Sequence, residues 1–554
     1  MKQGPIFWLG KKVRGRIPAI LLLTASNMGH ALFGVFFALG SRGVIDSAVS
    51  GDFDRFLRAC GNQAAIILGI LVCYGMVRHM TDRLRADLER DWKRNLLHGL
   101  LHGEYAAVKE YHSAELLNRL NNDVTKVNDG ILTILPSAAA MLTKVSAAVV
   151  VLGILDLRFT FVILTLGLLV VAVTGIMRQK LKELNKQVSA HDGKVSGFLQ
   201  EAIEKLLMVQ AMDVSEEVES RADALLEDRY QIHRKRKNIS LVTNLGVSLF
   251  SYGAGFVALV WCAYRLLQGR ISFGSLTAVI QLVNQIRAPF VNLSGVLPMY
   301  TAMTASAERL MELDAIQGEP APSCEDPKQL YDRAEGISVR ELSFSYDRDP
   351  VLKNAEFSLP KGAFAVITGP SGIGKSTLLK LMLGIFRPES GEICLDHGVE
   401  KTILDRSTRR LFAYVPQGNL LLSGTLRENL TIVRPEASEE EIRQAVYVSN
   451  MDDFLPSLPE GLDTVLGESG SGLSEGQAQR LAIARAVLGG APILLLDECT
   501  SALDEEMEKR VLHRLRQLPD RTCIAVTHRS AAMEVCDWRL EIRDNKIRAI
   551  PREM

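Results

Sequence analysis

The sequence lacks a net charge: 64 lysines and arginines balance 64 aspartates and glutamates. Bulk charge therefore gives no case for nucleic-acid binding. It lacks paired cysteines as well. Cys60, Cys73, Cys262, Cys324, Cys394, Cys499, Cys523 and Cys536 form no CxxC pair and no metal-ligand spacing. That pattern reads as free thiols in a reducing compartment. No cleavable signal peptide is evident. Lys11, Lys12, Arg14 and Arg16 precede an apolar run from Ile17, but no small-residue cleavage site closes it, so the run reads as a retained membrane helix. Long apolar runs are absent beyond about residue 300, yet they crowd the chain before it.

A spanning helix needs about 20 mostly apolar residues. Six runs qualify: Ile17–Leu39, Gln63–Arg83, Ile131–Leu155, Phe159–Met177, Leu241–Leu267 and Phe273–Met299. An even number returns the chain to its starting side. Basic residues set the orientation. Arg83, Arg85, Arg90, Lys93 and Arg94 follow the second run. Lys180, Lys182, Lys186, Lys194 and Arg234 to Lys237 follow the fourth. The positive-inside rule places both long stretches, and both termini, in the cytosol. The stretches are rich in helix formers, so they are expected to continue the membrane helices as hairpins. Their tips are expected near Asn118–Thr125 and Glu204–Gln210. Phe7 and Trp8, beside Lys11 and Lys12, suit a helix lying along the membrane surface, and equally an unstructured basic flank.

After Leu313 the composition changes. Gly318, Pro320, Pro322 and Pro327 punctuate a polar linker. From Gly336 short β-rich runs alternate with helical ones, which indicates a parallel α/β sheet. The expected architecture is multidomain: an all-α six-helix transmembrane domain over residues 1–313, a linker over 314–335, and an α/β P-loop NTPase domain over 336–554.

The second half carries phosphate chemistry. In AFAVITGPSGIGKST an apolar strand runs into a glycine-rich loop and then a helix. Gly369, Gly372 and Gly374, with Ser371 and Thr377 in the same motif, suit a backbone cradle for ATP phosphates at a helix N-terminus. Lys375 is placed to reach the β- and γ-phosphates, and Ser376 to ligate Mg²⁺. ILLLDE reads as a buried strand ending in two carboxylates. Asp497 suits the metal and Glu498 the activation of water. In GLSEGQAQR, Ser474 and Gln477 have capping-box spacing, and Gly476 lies between them. This helix N-terminus is ready for an anion but has none in its own subunit, so the nucleotide of a second subunit is its expected target.

LSEGQ resembles the signature motif of ABC ATPases, usually LSGGQ. The family's other elements follow in order. Tyr346 in FSYDRDPVL matches the adenine-stacking aromatic, and Gln417 in YVPQGN the Q-loop glutamine, a Mg²⁺ ligand. Asp504, ending SALD, matches the D-loop, and His528 in AVTHRS the switch histidine. GESGSG resembles the X-loop of exporters, with Glu468 at its acidic position. LGSRGVIDSAVSG and LLNRLNNDV resemble exporter membrane domains. The resemblance covers nearly the whole chain. It implies a half-transporter of the type I (type IV) exporter fold, with catalytic Glu498, His528, Gln417 and Asp504. Its partners would be the lipid bilayer, a cargo and a second half-transporter, identical or related. Its setting would be a bacterial inner membrane, with the ATPase half cytosolic. Two residues depart from the pattern: Glu475 replaces a signature glycine, and Cys499 stands where proline or alanine is usual.

Export by alternating access in a dimer is the leading expectation. An importer on the same fold, or an ATP-gated channel or regulatory subunit, is the alternative. Gln281, Asn284, Gln285 and Asn292 form one polar stripe in the spans, and Ser26, Asn27 and His30 another. They suit either cargo contact or helix–helix hydrogen bonding. Being mostly uncharged, they point to a peptide, lipid or amphipathic small molecule.

Overall fold

The structure, a computed structural model, describes residues 4–552 except 317, 319–325, 347–348, 419–420 and 468–471. Within helices the side chains at 163, 166–179, 182, 247, 250–251, 287–295 and 297 are also outside the description. The acidic position Glu468 and the side chain of Asn292 therefore lie outside the described residues. Contacts divide the chain into two compact units: Met1–His98 with Ser113–Ala315, and Gly99–His112 with Ile316–Met554.

The first unit is helical. In order come α1 (Pro5–Lys12), α2 (Ile17–Ser50), α3 (Phe53–His102), α4 (Tyr105–Lys109), α5 (Ser113–Asn118), α6 (Val124–Leu155), α7 (Leu157–Glu204), α8 (Leu206–Ala211), α9 (Ser215–Leu267) and α10 (Phe273–Asp314). The last turn of α3 and all of α4 belong to the second unit. Each of the six apolar runs lies inside one long helix. Among the described residues, Arg14–Ser50, Phe53–His102 and Ser113–Leu155 are long and apolar enough to cross a membrane. The 50 residues of α3 reach about 75 Å, more than twice a bilayer core of roughly 30 Å. Turns between helices follow local chemistry. Gly51 ends α2 at φ 73°, Asp156 caps α7 by accepting from Arg158 N and Phe159 N, and Ser272 caps α10.

The first hairpin turns elsewhere than expected. The chain leaves α3 at Gly103, makes α4, and re-enters helix at Ser113. Asn118–Thr125 is instead continuous helix, with one wide π-bulge at Arg119–Asp123. Arg119 and Asp123 are buried and engaged there, while Asn118, Asn121, Asn122 and Thr125 stay exposed on the helix. Asp123 is fully buried and accepts from Ser306 Oγ at 2.9 Å and Arg309 Nε at 2.7 Å. Arg119 donates to the Arg309 carbonyl at 2.7 Å and to Glu312 at 2.8 Å. The second turn, around α8, falls where the sequence places it. The helix α1 is present, but Trp8 is buried against Trp92, with centroids 5.3 Å apart, and donates to Asp314 at 2.9 Å. Phe7 is the exposed aromatic.

The second unit holds α11 (Pro327–Asp332) and two larger sheets. An antiparallel sheet has the order β2-β1-β4-β5, from β1 (Gly336–Tyr346), β2 (Asp349–Pro360), β4 (Ser390–His397) and β5 (Glu400–Ile403). The other sheet has the order β12-β11-β3-β10-β9-β6. It comprises β3 (Phe364–Thr368), β6 (Phe412–Val415), β9 (Ile493–Asp497), β10 (Thr522–Val526), β11 (Trp538–Arg543) and β12 (Lys546–Pro551). Its central strands are parallel and buried along their whole length, as continuous apolar runs require. A short β7 (Gly424–Thr425) pairs with β8 (Val465–Leu466). The helices are α12 (Lys375–Met382), α13 (Leu426–Thr431), α14 (Glu439–Val448), α15 (Glu475–Leu488), α16 (Glu505–Arg516) and α17 (Ser530–Val535). Within this unit, Glu104 pairs with Arg387 at 2.9 Å, and Tyr105 meets Phe386 edge-on.

Candidate ATP site

The parallel strands β3, β6, β9 and β10 deliver their C-terminal ends to one edge, where an open α/β sheet holds ligands. After β3 the chain makes the glycine loop. Gly369, Gly372 and Gly374 have φ of 151°, 78° and 107°, which side chains rarely adopt. A Cβ on Gly374 would come within 2.2 Å of Val351. Helix α12 starts at Lys375. With that lysine buried, its ammonium donates to the Gly369 and Pro370 carbonyls at 2.9 and 3.0 Å. Ser371 lies exposed in the loop.

Ser376 Oγ donates to Asp497 Oδ1 at 2.8 Å, and the Tyr414 hydroxyl donates to Oδ2 at 3.1 Å. Burial pushes the Asp497 carboxyl above its ordinary range, with these two donors opposing the shift. Burial likewise pushes the Tyr414 phenol up. Next along β9, Glu498 sits in the left-handed region at φ 49°. Its Oε2 accepts from Gln417 Nε2 at 2.7 Å, and Oε1 lies 4.0 Å from His528 Nε2. The conformation is a strained one for a glutamate, and Glu498 N is held by the Val526 carbonyl at 3.0 Å.

A hydroxyl beside a buried carboxylate, with the Gln417 amide nearby, supplies the oxygen donors that a hard dication takes. Phosphate oxygens and water would complete such a shell. Among the described residues there is no cluster of three or more His, Cys, Asp or Glu. Tyr346 is half-exposed. Its ring is braced edge-on by Phe344 and Phe386, at 5.1 and 5.5 Å, and its hydroxyl lies 3.2 Å from Thr377 Oγ1. Two bracing rings leave it a fixed aromatic surface near the phosphate loop.

Lys375, Ser376, Thr377, Tyr346, Gln417, Asp497, Glu498 and His528 thus converge. Ser474, Gly476 and Gln477 do not: no described hydrogen bond joins them to the phosphate loop. They form the expected capping box, with Gln477 N donating to Ser474 Oγ at 3.3 Å and Ser474 N to Gln477 Oε1 at 2.9 Å. Glu475 is exposed, directed away from the core. Asp504 caps α16 through Met507 N at 2.8 Å. The signature helix holds the D-loop directly. Gln479 donates to Ser501 Oγ and accepts from Ala502 N, both at 3.0 Å. A Cβ on Gly476 would approach the Ala502 carbonyl to 3.1 Å. Arg529 donates to Glu508, which is fully buried and also accepts from Thr500 at 2.7 Å. Cys499 packs in the core with its thiol pushed up to about 12 by burial, which makes it an inert packing residue.

Sequence reasoning missed Tyr414, Gln479 and Arg529. Tyr414 lies inside β6, at the start of YVPQGN, and only the pairing of β6 with β9 shows that it reaches Asp497. Gln479 and Arg529 lie inside the segments GLSEGQAQR and AVTHRS, and that membership was the available signal.

Residues 17–290 match the family model for the ABC transporter transmembrane region, and residues 352–501 the model described as ABC transporter. A Staphylococcus aureus protein named "Putative multidrug export ATP-binding/permease protein" is 31% identical over 450 residues, 78% of this chain and 75% of that protein. The chain belongs to the ABC transporters. A Dictyostelium discoideum relative, "ABC transporter B family member 1", is 28% identical over 82% of this ABC transporter, which spans half of that relative's length. A solved structure described as a bacterial Atm1-family ABC exporter with ATP bound aligns with TM-score 0.78 over 98% of this chain and 95% of the other. At 23% identity it shows the exporter fold. This ABC transporter has the exporter-type fold, a helical transmembrane-type domain followed by an ATPase domain, and it couples ATP hydrolysis to transport.

Proposed function

We propose that the protein exports a peptide, lipid or amphipathic small molecule from the cytosol or inner leaflet. It works by alternating access in a dimer, in a bacterial inner membrane with the ATPase domain in the cytosol. The observation that carries this reading is the complete hydrolytic set at the edge of the parallel sheet: Lys375, Ser376 and Asp497, with Glu498 between Gln417 and His528. A gating subunit has no need of such a set.

In this reading the loop amides and Lys375 hold the β- and γ-phosphates, and Tyr346 stacks on adenine. Mg²⁺, held by Ser376, Gln417 and Asp497, would neutralise charge on the phosphate oxygens. Water attacks the γ-phosphorus; a P–O bond forms, the bond to the ADP oxygen breaks, and Glu498 takes the water's proton. His528 donates to the transferring phosphate. Ser474 and Gly476 face the partner's nucleotide, and Asp504 sets the D-loop between the two sites. ATP then differs from ADP by contacts that only a closed dimer makes, which gives a conformational switch its differential affinity. ATP-dependent uptake of cargo into inside-out vesicles tests the reading. Accumulation in wild type and its loss in Glu498→Gln is the expected outcome. ATP-driven movement outward from the same vesicles would instead mean import.

A further inference from the structure

Five of the six apolar runs contain no aspartate or glutamate, and the sixth has only Asp82 at its inner end. Asp82 is already paired with Arg78 at 3.2 Å. Against that background Lys144 stands near the middle of the Ile131–Leu155 run, on α6. It lies about 20 Å from one end of the run and about 16 Å from the other, at 1.5 Å per residue. A lysine stem extends only about 6 Å, so its ammonium cannot reach either interface. It is half-buried, and no carboxylate acts on it among the described residues.

A titratable neighbour is another base. The ammonium lies within electrostatic reach of the His30 imidazole on α2. That ring in turn lies against Tyr74 of α3, with centroids 6.3 Å apart and planes tilted by 44°. Tyr74 is 60% exposed. Three helices therefore bring a lysine, a histidine and an open tyrosine face together at one depth. An unpaired cation facing hydrocarbon is costly. Such residues face a polar cavity and find a counter-charge there. Here none of the described residues supplies one.

We propose that Lys144 is the anion-recognition point of the transport site, and that the cargo is an amphipathic anion. Its carboxylate, sulfate or phosphate pairs with the Lys144 ammonium beside His30, and its apolar body lies along Tyr74. The proposal rests on the exporter reading and narrows its cargo to one sign of charge.

The test uses the full chain in lipid nanodiscs and two single-chain probes of equal length, N-lauroylglycine and lauroylcholine. The carboxylate should stimulate ATP turnover in wild type, and the quaternary ammonium should not. Lys144→Gln should raise the half-maximal concentration of N-lauroylglycine roughly tenfold or more, the scale of one lost charge-assisted hydrogen bond. Lys144→Arg should stay within about twofold, since the charge remains. The proposal is overturned if lauroylcholine stimulates equally, if N-lauroylglycine is inert, or if Lys144→Gln responds like wild type. With ATP turnover intact, those results leave the exporter reading standing. A wild-type chain that hydrolyses no ATP would remove both. The wild-type comparison of the two probes decides the matter even if a variant fails to fold.

Discussion

Gln417 donates to Glu498 at 2.7 Å, so the residue that follows β6 orients the carboxylate that follows β9. The bond joins two loops at the edge of the sheet and aims one oxygen of Glu498 while the other faces His528. Gln417 is therefore a positioning residue for the water-activating group as well as a candidate metal ligand.

Glu498→Gln keeps an oxygen for Gln417 to donate to, so the geometry survives and only the proton acceptor is lost. Hydrolysis should fall by ~10²–10⁴-fold with nucleotide binding retained. Phosphate release by the purified protein, beside an equilibrium binding measurement, checks both halves. Turnover near wild type would remove Glu498 from the role.

Tyr346→Ala removes an aromatic face but no group that reacts. Stacking binds ground and transition states alike, so KM for ATP should rise while kcat changes little. The loss is about 1–3 kcal/mol by analogy with other base–aromatic contacts. Steady-state kinetics over a range of ATP concentrations measures it, and an unchanged KM would assign the base to another residue.

Ser474→Arg places bulk and charge at a helix N-terminus that holds no described contact with its own phosphate loop. In a Glu498→Gln background, ATP should drive stable closure of the two ATPase domains. Adding Ser474→Arg should abolish closure and leave nucleotide bound. Distances between spin labels on the two domains read this directly. Equal closure with and without the arginine would disprove action in trans.

Asp123 ties α6 to α10 through Ser306 and Arg309. Burial alone would raise its carboxyl, but the Arg309 guanidinium and the Ser306 hydroxyl outweigh burial and hold it below the ordinary range. A depressed carboxylate contributes stability above its unfolded value, about pH 4, and loses it as pH falls through the folded one. Asp123→Ala should therefore lower Tm near neutral pH, by an amount equivalent to about 1.5–3 kcal/mol. The gap from wild type should narrow below pH 4. Thermal scans across pH 3–7 would show it, and a gap constant with pH would refute the linkage.

Much of this was legible in the sequence because it is periodic or local. The glycine loop, the ILLLDE strand and the capping box at Ser474 each declare themselves within about ten residues. Gly103–His112 did not, because its turn carries one glycine and no proline, while the polar LLNRLNND stretch downstream looked more like a tip. Asparagine and aspartate favour turns locally, but partners on α10 hold Arg119 and Asp123, and with them the segment, in helix here. The reach of Tyr414 to Asp497 depends on strand order, which no local pattern encodes. Lys144 was visible as a base inside an apolar run, and its significance emerges only with its acid-free surroundings.

The π-bulge at Arg119–Asp123 amounts to one residue more than a regular helix would need. Deleting a single residue there would leave a continuous helix of nearly the same length. It would also leave everything downstream in nearly the same phase, because the wide turn already absorbs the extra residue; a deletion from the regular helix beyond it would instead turn the rest by about 100°. Asp123 lies within the bulge and Lys144 beyond it, so the wide turn sets how Arg119 and Asp123 are presented together to α10 without changing the phase of the face that carries Lys144. The bulge is the slack in a keyed shaft: it takes up one residue while the angle of the shaft stays fixed.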